Sequence, residues 1–76
     1  MPTADDLDLL HAIRAKMAVL ADEVPAERAK SLLSRGWIEE RHGVVFHLVR
    51  GQGRVARRGQ ILQVSHEGLD FLRGMR

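Results

Sequence analysis

Residues 44–65, VVFHLVRGQGRVARRGQILQVS, decide how this chain is read. VVFHLVR is rich in β-branched and aromatic residues and predicts a strand. Val44, Phe46 and Leu48 fall on one face and Val45, His47 and Val49 on the other. Both faces are largely apolar, so a covering helix or second subunit is expected on each. QILQVS predicts the partner strand, with Leu62 and Val64 on one face. Between them, residues 50–60 (RGQGRVARRGQ) hold four arginines and no acid. This segment is expected to be the flexible tip of a hairpin.

Such a tip, carrying Arg50, Arg54, Arg57 and Arg58, suits a polyanion. Arginines can straddle a DNA backbone or enter a narrow minor groove, where the negative potential is enhanced. Gln52 and Gln60 can hydrogen-bond sugars or base edges. Four phosphate contacts would give a log–log salt slope of roughly −3 to −4. The plainer reading is a solvated tip kept soluble by its charge. A nucleotide-cradling loop fits poorly. GQG with Ala56 is a partial Gly-x-Gly-x-x-Gly/Ala pattern, but that fingerprint needs a helix to follow and here a strand does. The chain has no Gly-Lys-Ser/Thr.

The charge distribution points the same way. The net charge of +2 is uneven. Residues 1–34 carry six acids and four bases, whereas residues 35–76 carry eight bases, all arginine, and four acids. Arginine's planar fork matches phosphate better than lysine's point charge.

Upstream, Thr3 is placed to cap a helix, with Asp5 and Asp6 in the first turn where the dipole favours acids. Leu7, Leu10, Ile13, Met17, Leu20 and Val24 recur every three or four residues and predict a helix over about 4–20. Pro25 opens a second helix, PAERAKSLLSR, residues 25–35. Its inward face is Ala29, Leu32 and Leu33, and Gly36 suits a left-handed C-cap. Its outward face offers Arg28, Lys30, Ser31, Ser34 and Arg35 as groove-reading residues, beside the acidic Glu27. An ordinary solvated helix face is the plain alternative. WIEER is expected to be a short strand or an extended segment, with HG a turn before the next strand. At the other end Ser65 caps a helix, HEGLDFLRGMR, that packs back through Leu69, Phe71 and Leu72.

The expected order is α-α-β-β-β-α in a single α+β domain over 1–76. With these pieces in place the chain resembles winged helix-turn-helix proteins, of the small MarR-like or phage type. AKSLLSRGWIEER is similar to the end of a recognition helix running into the wing. VVFHLV and ILQVS look like wing strands, and Ser65, Gly68, Phe71 and Leu72 match the capped helix that follows the wing. The resemblance covers about residues 26–76. It departs from the family pattern before Pro25, where only ADEV stands, so the second helix is expected to be shortened or missing.

The resemblance implies a bacterial or phage transcriptional regulator binding duplex DNA through the arginine wing and helix 25–35. A protein-interaction module acting on a host protein is the alternative, and RNA or ribosome binding a third. RNA is disfavoured because Phe46, Phe71 and Trp37 are expected to be buried. Leu9 lies off the helical stripe, and a homodimer through helix 4–20 or strand 44–49 is expected. Catalysis is not expected: the chain has no cysteine or tyrosine and no paired-carboxylate or Ser-His-acid pattern. Nor is a cofactor or metal, since His11, His42, His47 and His66 do not converge in sequence. MPTADDLD does not read as a signal peptide and no apolar run spans a membrane, so a cytoplasmic, nucleoid-associated location is expected.

Overall fold

The computed structural model describes residues 3–74. Along the chain run α1 (Ala4–Lys16), β1 (Val19–Leu20), a 3-10 turn (Ala21–Glu23), α2 (Ala26–Ser34), β2 (Ile38–Val49), β3 (Gly53–Val64) and α3 (His66–Arg73). The strands form one antiparallel sheet in the order β1-β3-β2. The described residues thus form an α+β fold with three α-helices and three strands. The layout is compatible with a winged helix whose second helix is reduced to a single 3-10 turn.

α1 begins at a capping box. The Thr3 hydroxyl accepts from the Asp6 N–H at 3.1 Å, and the Asp6 carboxylate accepts from the Thr3 N–H at 3.4 Å. The helix ends at Lys16, four residues earlier than its apolar spacing predicts. Met17 takes a φ of 70°, and the chain leaves as strand β1. Val19 pairs with Leu62 and Leu20 with Ile61, and all four are buried. Tertiary pairing here outweighs a helical periodicity that merely continues in register.

α2 closes with a Schellman motif. Gly36 N–H donates to Leu33 O at 3.0 Å and Trp37 N–H to Leu32 O at 3.2 Å, with Gly36 at φ 76°. That turn and Trp37 aim the chain into β2, which absorbs IEER, HG and VVFHLV in one twelve-residue strand. Gly43 is therefore not a turn. It is an extended glycine opposite Gly59, and a Cβ there would lie 2.6 Å from Ile61 Cδ1. The missing side chain makes room for Ile61 to cross the ladder. The third strand sits at 19–20, not at WIEER, because Ile38–Arg41 pair with Ile61–Val64 as the base of the long hairpin.

The core joins Leu10 and Ile13 of α1, Val19, Ala29 and Leu32 of α2, Ile38, Leu62 and Leu72 of α3. Leu9, off the stripe, still packs partly against it. α3 is pinned where β2 starts and β3 ends. The Ser65 hydroxyl accepts from Gly68 N–H at 3.0 Å and donates to Gly36 O, and Ser65 N–H donates to Trp37 O at 2.9 Å. Trp37 stacks on Phe71 with centroids 3.9 Å apart. The last two residues of the expected helix lie outside the described residues.

All helices gather at this base. α1 is 13 residues, or ~20 Å, long. A ladder of twelve residues extends up to ~37 Å, so the hairpin outruns its covering layer. The molecule is accordingly elongated, 42 × 23 × 20 Å.

Candidate nucleic-acid interface

The hairpin turns in three residues. Gln52 N–H donates to Val49 O at 3.0 Å, and Gly51 and Gly53 take φ of 84° and 72°. A positive φ is what the third position of a type II turn needs, and glycine adopts it without steric cost. Because the turn is so tight, only Arg50 and Gln52 lie in it. Arg54, Arg57, Arg58 and Gln60 stand on β3, opposite Leu48, Val45, Val44 and His42. The expected flexible loop over 50–60 is therefore mostly strand. Val55 and the residues beside it find partners along the whole of β2, and the tight turn leaves no slack.

A strand splits its side chains between two faces, and directly paired residues share one. Arg54, Ala56, Arg58 and Gln60 stand with Leu48, Phe46, Val44 and His42. Arg57 stands on the opposite face with Val45 and His47. There it meets the 3-10 turn: Glu23 Oε1 lies 3.2 Å from His47 Nε2 and 3.8 Å from Arg57 Nη1. The His47 contact is one of proximity, without the alignment of a hydrogen bond. Arg57 is thus partly neutralised. Among the described residues no carboxylate lies within ion-pairing distance of Arg50, Arg54 or Arg58. From residue 41 to residue 66 the chain has five arginines and no acid.

The face bearing Arg54 and Arg58 is not covered as its apolar pattern predicts. Val44 is 41%, Phe46 59% and Leu48 86% exposed. The layer of helices ends before reaching them. The Arg54 guanidinium lies over the Phe46 ring, 5.2 Å from its centroid. Phe46 was expected in the core, as were Trp37 and Phe71; the latter two are at least partly buried, and Phe46 is not. Alternation alone places Val44, Phe46 and Leu48 together. Whether a layer lies above them depends on element lengths, which is why sequence reasoning missed them as surface residues.

The residues on α2 form a separate group, tied inward. Arg28 pairs with Asp5 of α1 at 3.4 Å, both largely exposed, a contact worth at most about 1 kcal/mol. Ser31 Oγ donates to Asp6 Oδ2 at 3.4 Å, and Ser34 Oγ donates to Ser31 O at 2.8 Å. Arg35 lies 5.2 Å from the Trp37 ring centroid. Lys30 and Glu27 are exposed. Two of the expected groove-reading hydroxyls therefore already serve the fold.

An open groove of about 310 Å³ separates the end of α1 from the hairpin, and the Glu23–His47 pair lines it. Among the described residues no three of His, Asp or Glu come together as a metal site. No described helix is long and apolar enough to cross a membrane. Compared with known proteins, the chain matches no family model, no curated protein and no solved structure.

Proposed function

We propose that this chain binds duplex DNA through its hairpin and acts by occupancy, as a small winged-helix transcriptional regulator of bacterial or phage type. The observation that carries the reading is the projecting hairpin on which Arg50, Arg54 and Arg58 have no carboxylate within ion-pairing distance among the described residues, with no acid from residue 41 to residue 66. Phosphate is the partner such an arrangement selects, and each contact releases counterions. α2 contributes less than the family resemblance implies, because Arg28, Ser31 and Ser34 have partners within the fold. Lys30 is exposed and has no ion-pair partner among the described residues.

The test is a titration of duplex DNA at low and moderate salt with wild type and the double variant Arg54→Ala/Arg58→Ala. Wild type is expected to bind with a log–log salt slope near −3, for three phosphate contacts at ~0.9 each. The double variant should bind more weakly, with a slope shallower by roughly 2. Failure of wild type to bind duplex DNA at low salt would refute the proposal. Tighter binding of single-stranded RNA than of duplex would transfer the function to RNA.

A further inference from the structure

Leu48 is 86% exposed, two residues before the turn, on a strand whose partner at that point is Arg54. A large aliphatic side chain held so openly on a paired ladder adds little to the packed core. Three kinds of occupant compete for the face it shares with Phe46 and Val44. A second copy is disfavoured by area. At about 200 Å² per large side chain, the three exposures supply less than half of the ~800 Å² per partner that a stable interface uses, and the rest would have to come from a face carrying Arg54 and Arg58 in both copies. Single-stranded nucleic acid wants successive aromatic platforms. The rings of this face, His42 and Phe46, stand four residues apart with Val44 between them, and Arg54 already lies over Phe46. Duplex DNA fits both features at once. Charge complementarity is supplied by Arg54 and Arg58 beside the apolar column, and aliphatic wedges are what minor-groove binders insert between base steps.

Resting on the DNA-binding reading, we infer that Leu48 is an apolar wedge, entering a base step through the minor groove and kinking the duplex. Phe46, clamped by Arg54, backs it, and Arg54 and Arg58 meet the groove walls and phosphates on the same face. β-ribbons do enter grooves of DNA in this manner. Pyrimidine–purine steps unstack most easily and are the preferred point of entry. A preference for deformable sites follows, without hydrogen bonds to base edges.

The experiment uses a duplex of about 30 base pairs with a central TpA step, labelled at both ends for energy transfer, and a copy carrying a central bulge. Wild type should raise the transfer, consistent with a bend of ~20–90°. It should also bind the bulged duplex about tenfold tighter, about 1.4 kcal/mol, because part of the unstacking cost is already met there. Leu48→Ser should bind with an unchanged salt slope, leave the duplex straight and lose the preference for the bulge. Leu48→Met should keep both. Circular dichroism checks that each variant is folded, as so exposed a position allows. Binding by wild type with no change in transfer, or bending retained by Leu48→Ser, overturns the wedge and leaves DNA binding standing. Loss of self-association in Leu48→Ser with DNA bending intact overturns it in favour of a copy interface. No duplex binding by wild type removes the functional reading itself, and the wedge with it.

Discussion

Gly68→Ala should damage this protein more than any other single methyl group added on α3. A Cβ at position 68 would lie 2.1 Å from Trp37 O, 2.9 Å from Trp37 C and 2.9 Å from Val64 Cγ1. Carbon–oxygen contacts settle at about 3.3 Å or more, so helix and strand must part by roughly 1 Å. The Ser65 N–H to Trp37 O bond, 2.9 Å long, cannot survive that movement. Its loss costs about 1–3 kcal/mol if a group is left buried without a partner. Strained packing adds about 1–3 kcal/mol. Alanine's better helix propensity returns at most about 1 kcal/mol. The net is a destabilisation of about 1–5 kcal/mol, centred near 3 kcal/mol, against a total of roughly 4–11 kcal/mol for a domain of this size. At about 4–8 °C per kcal/mol, the melting temperature falls by about 10–20 °C. Thermal unfolding followed by circular dichroism measures it. Gly74→Ala, at the C-cap of the same helix, is the control. Among the described residues its Cβ would meet nothing closer than 3.5 Å, at Phe71 O, and it should be neutral or slightly stabilising. A Gly68→Ala melting temperature equal to or above wild type would refute the close-approach argument.

Ser65→Ala removes both the cap on Gly68 N–H and the donor to Gly36 O. It should cost about 2 kcal/mol in urea unfolding with the m-value unchanged, and a loss under about 0.5 kcal/mol would contradict the role assigned to that hydroxyl. Arg57→Ala should reduce DNA affinity less than Arg58→Ala. Arg57 lies near Glu23 on the opposite face, whereas Arg58 has no acid near it among the described residues. A salt slope shallower by about 1 for Arg58→Ala and nearly unchanged for Arg57→Ala is the expected signature.

The hairpin carries the relation between helix layer and site. It is anchored where Ser65, Gly36, Trp37 and Gly68 meet, and it is free where the arginines stand. The tight turn matters because a slack loop would let the arginines reorient. A paired ladder fixes which of them share a face and sends Arg57 away from Arg54 and Arg58. A linear run of basic residues thereby becomes a directional surface.

Much of this was legible in the chain itself, where the signals are local. β-branched runs around a glycine-bearing turn specify a hairpin. Ser65 before a helical pattern specifies a cap, and Gly36 after Leu33 a left-handed helix end. The α+β class and the basic hairpin follow from those alone. Tertiary structure decided the rest, because the deciding interactions join residues far apart in sequence. Val19 and Leu20 leave a helical stripe because Leu62 and Ile61 offer them a strand partner. Gly43 extends rather than turns because Ile61 needs its missing side chain. Ser31 is drawn away from solvent by Asp6, twenty-five residues earlier. Alternation placed Val44, Phe46 and Leu48 on one face. Only the lengths of helix and ladder, set side by side, left that face open to water.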